Sequence, residues 1–315
     1  MAEQALTWRQ VLLLLATSAS FASSVLLNKM LVNALPPFTL AASRVLLALP
    51  FCLGALMLFR RTLPRAPRDR IAVATASIGI IVVPYVALAI GQQTIASGLS
   101  GIIYSVIPLL TLLLGVLFLR EERLGLKRFA GIWLGMGGVV VIIGPSLLGG
   151  FGEHAVAELI TLCGPIAYSA AMVLMRRFRH IDAVALTSGA FVAAALVLVP
   201  LALIIDGSVF ALPPMAVLGL LFALSTLGTV VPAALNYQLV RQVGATRAAL
   251  AMFLMPGFSV FAGWAFLGEH LAWEDFAGLA LILGGSFLVS SAASARPASE
   301  QLTPVAVAPL SEERR

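Results

Sequence analysis

SGLSGIIYSVIPLLTLLLGVLFLRE, residues 97–121, is matched 148 residues later by ATRAALAMFLMPGFSVFAGWAFLGE, residues 245–269. The shift sets Pro108 on Pro256, Thr111 on Ser259, Gly115 on Gly263 and Glu121 on Glu269. In the first copy Ser97, Gly101, Tyr104, Pro108, Thr111 and Gly115 recur at steps of four, three, four, three, four. Small, polar or kink-forming residues at that spacing share one helix face. The same face of the second copy carries Ala245, Ala249, Met252, Pro256, Ser259 and Gly263. An apolar helix with such a stripe packs closely or lines a cavity. Its proline also deprives the carbonyl one turn back, that of Tyr104 or Met252, of its N–H partner.

The composition around this stretch excludes a soluble domain. The chain is 60% hydrophobic and 11% charged, with a mean hydropathy of +1.03, whereas soluble domains carry roughly 25% charged residues. The apolar runs have the length a bilayer demands of a helix, about 20 residues. Ten are predicted, at 8–28, 36–59, 71–91, 96–119, 127–145, 156–176, 183–205, 213–238, 246–267 and 273–291. Continuous runs rule out a β-barrel, whose strands alternate.

The net charge of +6 is distributed as topology requires and not as nucleic acid requires. Arg60, Arg61, Arg65, Arg68 and Arg70 fall between helices two and three, and Arg120, Arg123, Lys127 and Arg128 between four and five. Arg176, Arg177 and Arg179 follow helix six, Arg241 and Arg247 lie between eight and nine, and Arg9, Arg296, Arg314 and Arg315 flank the ends. All lie on one side; the other keeps only Lys29, with Arg44 inside helix two. The positive-inside rule then makes both termini cytoplasmic. Cys52 and Cys163 read as core thiols. His154, His180 and His270 are scattered, so no metal site or cofactor is expected. Residues 11–23 imitate a signal peptide, but this segment has a counterpart at helix six and is expected to be retained.

Further doublets extend the repeat. Val82-Val83-Pro84 answers Val230-Val231-Pro232, Phe129-Ala130-Gly131 answers Phe276-Ala277-Gly278, and Gly137-Gly138 answers Gly284-Gly285. Helix one matches helix six at 147, with Phe21 on Tyr168 and Lys29 on Arg176. Two five-helix units follow, residues 1–149 and 150–291, with 292–315 a disordered cytoplasmic tail. Five is odd, so the second unit enters the membrane from the opposite side. The halves are therefore inverted about an axis in the membrane plane, an architecture built for alternating access. The symmetry fails at Arg44, whose mate is Phe191, and a substrate site is itself asymmetric.

The tandem units, "PPFTLAASR" entering helix two, "PLLTLLLGVLFLREE" and "MPGFSVFAGWAFLGEH" closing helices four and nine, and the GG-containing helices after them resemble the drug/metabolite transporter superfamily, in its EamA-type branch. The resemblance spans residues 8–291. It implies a basket of helices one to four and six to nine around a central cavity, with five and ten outside. It also implies export of amino acids or related metabolites, as by the bacterial aromatic amino-acid exporters. Phe21-Ala22 stands where many relatives carry Trp-Gly, so no indole role carries over.

Each candidate residue admits a structural role beside the functional one. Pro84, Pro108, Pro232 and Pro256 are matched kinks, suited to gating or to ordinary helix packing. Arg44 lies about 12 Å from the external edge, counting roughly 1.5 Å per residue. It either snorkels outward or faces the cavity and pairs with a substrate carboxylate. Tyr85, Gln92 or Gln93, Tyr104, Tyr168 and Asn236 either line the site or bond a neighbouring helix. Tyr237 is a further polar group of helix eight. Glu153 and Glu158 open helix six, where acids suit the helix dipole and face water; of the two, Glu158 is the candidate for proton coupling. Glu121 and Glu269 are expected to bind loop backbone or basic neighbours. Gly131 and Gly135 form a GxxxG pair, for packing within the subunit or for dimerisation.

The expectation is a ten-helix inverted-repeat exporter of a small solute, zwitterionic and most simply an amino acid, in a plasma-membrane bilayer. The sequence leaves the oligomeric state open, and a monomer satisfies it. The alternatives are a lipid or drug exporter of the same fold, an intramembrane lipid-modifying enzyme, and a non-transporting scaffold. The enzyme would need a nucleophile with a base, or a metal cluster, at membrane depth; no His lies mid-helix and no acidic pair is apparent there.

Overall fold

The computed structural model describes residues 7–119, 125–148, 152–178, 180–207, 213–243, 248 and 250–294. The readings that rest on Arg120, Glu121, Arg123, Arg179, Ala245, Arg247, Ala249 and the tail from residue 295 lie outside them. The described residues form ten helical rods: α1 Trp8–Leu31, α2 Pro37–Leu58, α3 Pro67–Gly91, α4 Ser97–Phe118, α5 Leu126–Leu148, α6 Glu153–Phe178, α7 Ala183–Ile205, α8 Met215–Val243, α9 Leu250–Leu267 and α10 Trp273–Ser294. The first nine are long and apolar enough to cross a membrane. The tenth spans 22 residues and opens with Glu274 and Asp275.

The pattern of neighbours maps onto itself when the halves are exchanged. α1 packs on α8 and its mate α6 on α3; α1 packs on α9 and α6 on α4. α2–α7, α4–α9 and α5–α10 are self-paired. Such reciprocity defines a twofold between inverted repeats. It is sharpest at α5–α10. A Cβ on Gly131 would stand 2.6 Å from the Gly285 carbonyl oxygen, and one on Gly138 would stand 2.6 Å from that of Gly278. Residues 131 and 278 are repeat mates, as are 138 and 285, so the two contacts exchange under the axis. Lipid supplies no hydrophobic drive between helices, which leaves close packing and weak Cα–H···O contacts of about 0.5–1 kcal/mol each. The GxxxG pair is therefore used within the chain: Gly131 meets α10, and Gly135 takes the Leu109 side chain of α4. At α2–α7 the same economy uses Ala41, Ala42, Val45 and Ala48 against Ala190, Ala194, Ala195, Leu198 and Ala202.

The matched prolines shape their helices in different ways. In α3 and α8 a π-helical turn, Ser77–Val82 and Thr226–Val230, precedes Val-Pro. The Val83 N–H reaches the Ile78 carbonyl and the Val231 N–H reaches that of Thr226. A proline that can neither donate nor fit under the preceding turn widens the helix in this way. In α4, Pro108 follows an interruption at Ser105 and Val106, whereas α9 runs unbroken through Pro256. The Ser105 hydroxyl donates to the Ile102 carbonyl at 2.6 Å, and the matching residue of α9 is Phe253, which has no such group.

Cross-half ties hold both ends of the bundle. At the end bearing the basic loops, Arg61 pairs with Asp182 at 3.2 Å and His180 with Asp69 at 2.9 Å. At the opposite end, Asp206 accepts the Thr39 N–H and hydroxyl at the start of α2. There too, Glu269 accepts the Ser97 N–H and hydroxyl and the Gly98 N–H, at 2.8, 2.8 and 3.1 Å. A carboxylate on exposed N–H groups of a helix start is favoured by both hydrogen bonding and the dipole. Cys52 and Cys163 are unbridged, and Cys163 is exposed rather than in the core. It sits beside Leu159 and Ile166, also exposed, on the outer face of α6.

Candidate functional site

The site is built on the symmetry break. Arg44, on α2, is 3% exposed and does not snorkel. Its Nε donates to Thr229 Oγ1 at 2.8 Å, and its Nη2 donates to Ser24 Oγ at 2.7 Å and the Gly228 carbonyl at 3.0 Å. The guanidinium lies 3.7 Å from the centroid of the Tyr85 ring, a stacked cation–π arrangement. Ser24 comes from α1, Tyr85 from α3, and Gly228 and Thr229 from the π turn of α8. That carbonyl is available for a physical reason: Pro232, four residues on, has no N–H to give it. Gly228 lets the turn approach α1, since a Cβ there would stand 2.9 Å from the Ser24 Cα.

This network leaves one valence open. Arg44 Nη1 is buried and has no hydrogen-bond partner, and no carboxylate pairs with the guanidinium among the described residues. A buried cation held only by neutral acceptors, with a free N–H edge, is complementary to an anionic group on a guest.

A chain of contacts leads from Arg44 through the tyrosines. The carbonyl of Pro84, next to Tyr85, accepts the Tyr104 hydroxyl at 2.8 Å. Tyr104 fills the space that the missing side chain of Gly164 leaves on α6. Tyr168 lies one turn further along α6 and is half-buried. Asn236 is half-buried on α8. Tyr237 is 48% exposed and lies 5.8 Å from Arg241, away from this group. Gln92 also stands apart. It is fully buried, accepting from Asn28 at 2.8 Å and donating to the Val25 carbonyl at 3.1 Å, which stitches α1 to the end of α3. Lys29 closes the same seam on the carbonyls of Gln92 and Ile95. Gln93 is exposed.

Pro108 and Pro256 sit on the α4 and α9 stripes, which meet where Gly101 takes Ser259 and Gly263 takes Ser97 and Glu269. Glu158 is 5% exposed, not at the aqueous edge as its place in the sequence suggested. Two surface cavities, of about 410 and 670 Å³, lie at the basic end and not at Arg44. They are walled by Arg60, Arg61, Arg65, Asp69, Arg177 and His180. Ser24, Gly228 and Thr229 were not singled out from the sequence. The rule that pointed to the Tyr104 carbonyl, applied to Pro232, identifies Gly228.

The family model that matches the chain is the EamA-like transporter family, over residues 8–144 and again over 155–291. The chain belongs to this family. Its duplicated match agrees with the reciprocal packing, and the protein is a multi-pass membrane transporter of ten helices in two inverted repeats. Among similar proteins, the Bacillus subtilis uncharacterized transporter YetK is 26% identical, across 92% of this chain and 90% of its own. The Escherichia coli K12 uncharacterized inner membrane transporter YedA is 25% identical, across 87% and 88%. An uncharacterized transporter of Archaeoglobus fulgidus is 29% identical, across 65% and 72%. A solved crystal structure superposes with a TM-score of 0.61 at 21% identity, covering 89% of this chain and 98% of that one; it speaks to the fold alone.

Proposed function

We propose that this EamA-family transporter exports a small amphipathic zwitterion, in the first instance an amino acid, by alternating access across a bacterial-type inner membrane. The observation that carries the reading is Arg44, a buried guanidinium without a carboxylate and with Nη1 free. The solute carboxylate takes that edge. Tyr85, Tyr104 and Tyr168 offer aromatic surface to its side chain, and Asn236 a hydrogen-bonding group. A sugar would need many more polar side chains than this group presents.

The moving units are the two groups that the twofold exchanges, α1 with α8 and α9 and α6 with α3 and α4, with Pro84, Pro108, Pro232 and Pro256 as hinges in their helices. Motion of this kind breaks and remakes the ties at the two ends, Asp206–Thr39 and Glu269–Ser97 at one, Arg61–Asp182 and His180–Asp69 at the other. The basic loops face the cytoplasm, as the positive-inside rule orients them, and both termini lie there. Counterflow in proteoliposomes loaded with a panel of amino acids and sugars tests this. Exchange is expected with amino acids. A protein that moves sugars and ignores amino acids would refute the substrate assignment.

A further inference from the structure

Glu158 belongs to no part of the site just described. It lies on the second turn of α6, where Oε1 accepts the Ser146 hydroxyl of α5 at 3.0 Å. Oε2 is buried and has no hydrogen-bond partner. Among the described residues no Lys, Arg or His forms an ion pair with it. The titratable groups within electrostatic reach of it are Asp275 in the first turn of α10 and His154, one turn back on α6. Asp275 is itself buried, accepts the Ala272 N–H at 2.9 Å and has Glu274 beside it. α3 and α4, which also pack on α6, bring Gly91 against Thr161 and Tyr104 against Gly164. The nearest titratable group on α10 is thus another buried acid and not a cation, and an ionised Glu158 would be buried with one hydrogen-bond donor and no ion-pair partner among the described residues. Burying a neutral acid is far less costly than burying an unpaired carboxylate.

We propose that Glu158 is the proton-binding site of this transporter, loaded and emptied as the ends of α5, α6 and α10 open to water and close again. The step is a simple transfer. Oε2 takes a proton from hydronium, leaving water and a neutral acid, and the reverse returns the carboxylate. The neutral form fits the closed packing seen here, and the ionised form favours an arrangement that hydrates Oε2. Proton occupancy thus biases one global arrangement over the other.

The link to the solute runs along one helix. Glu158, Thr161, Gly164 and Tyr168 follow steps of three, three and four on a single face of α6. They span about 15 Å at roughly 1.5 Å per residue, and Thr161 and Gly164 touch α3 and α4 along the way. A rigid α6 that moves at Glu158 therefore moves at the tyrosines too.

This inference deepens the transport reading, and it is tested by two readouts on the full chain in liposomes. The first needs no solute: infrared difference spectra near neutral pH are expected to show the C=O stretch of a protonated carboxyl in wild type and in Glu153→Gln. Glu158→Gln should lack that band, and Glu158→Asp should restore one. A band of wild-type intensity in Glu158→Gln overturns the proposal. In the second, one pH unit across the membrane is expected to drive up to about tenfold accumulation of a labelled amino acid, the limit for one-for-one exchange. Glu158→Gln should exchange amino acids by counterflow, which shows that it folds, yet accumulate none. Gradient-driven accumulation in that variant also overturns the proposal. A wild type that shows the band but exchanges no solute refutes the transport reading and leaves the proton site standing.

Discussion

Replacing Arg44 by Met keeps much of the side-chain volume and removes the guanidinium. Inside the protein the change loses hydrogen bonds to Thr229, Ser24 and Gly228 and the stack on Tyr85. Bonds to a charged group contribute about 1.5–3 kcal/mol each, but the variant no longer buries a cation without a counterion, which offsets them. The net change in stability is expected to stay within about 2 kcal/mol. The effect on a carboxylate-bearing solute is of another size. Truncating one partner of a buried, hydrogen-bonded charge pair costs about 2–5 kcal/mol, or roughly 30-fold to several thousand-fold in affinity. Arg44→Lys keeps the charge without the planar fork or the stacking face, and should fall between. The assay is the half-saturating concentration for counterflow of an amino acid and of its decarboxylated amine, in wild type and both variants. The acid should weaken by at least about 30-fold in Arg44→Met, while the amine is held as before. Equal losses for acid and amine would refute the carboxylate contact and leave Arg44 as a bolt between α1, α2 and α8.

Gly285→Ala places a methyl group 2.6 Å from the Gly135 nitrogen and closer still to the Gly131 carbonyl. α10 must retreat, at a cost of about 1–3 kcal/mol. Gly284→Ala, whose methyl group would meet nothing nearer than Leu134 at 3.6 Å, is the neutral control, and equal thermal unfolding in detergent for the two variants would contradict the packing described. Pro108→Ala should slow transport more than Pro256→Ala, because α4 is interrupted ahead of its proline and α9 is continuous. Wild-type rates in both, with normal insertion, would remove the gating role.

The architecture was legible because the signals that carry it are ones lipid does not erase. Length and apolarity mark each crossing, and doublets such as Val-Val-Pro and Gly-Gly mark the duplication. Which face of each helix is buried was much harder to read. In water a buried face is apolar and an exposed one polar, but in a bilayer both are apolar. Apolar surroundings therefore point Cys163 to the core, and it lies outside; position points Glu158 to the water's edge, and it is buried. Polarity groups Gln92 with Tyr104, although Gln92 stitches α1 to α3 while Tyr104, on the Pro108 stripe, bonds the carbonyl beside Tyr85. Glu269 was expected to find backbone, and it does, but no spacing in the sequence pointed to the start of α4, 172 residues away.

The break of symmetry around Arg44 extends well beyond that residue. The contact of Gly228 with Ser24 is answered one residue out of register by Gly79, the neighbour of its mate Ile80, against Ala171, where an added Cβ would stand 2.5 Å from the alanine methyl. The backbone approach is the same in both halves, but the chemistry is opposite. Arg44 answers Phe191 and Ser24 answers Ala171. The π turn of α8 supplies Thr229, where that of α3 offers only Ile80 and Ile81 beside Phe191. One ancestral junction of helix, proline and π turn has thus been kept twice as geometry and differentiated in its side chains, polar on one side and apolar on the other. Packing alone does not require that difference, since the apolar version closes the equivalent junction without a buried charge. A buried arginine is costly wherever it has no counterion, and its presence in only one of two matched junctions is what a single asymmetric guest with one anionic end would demand.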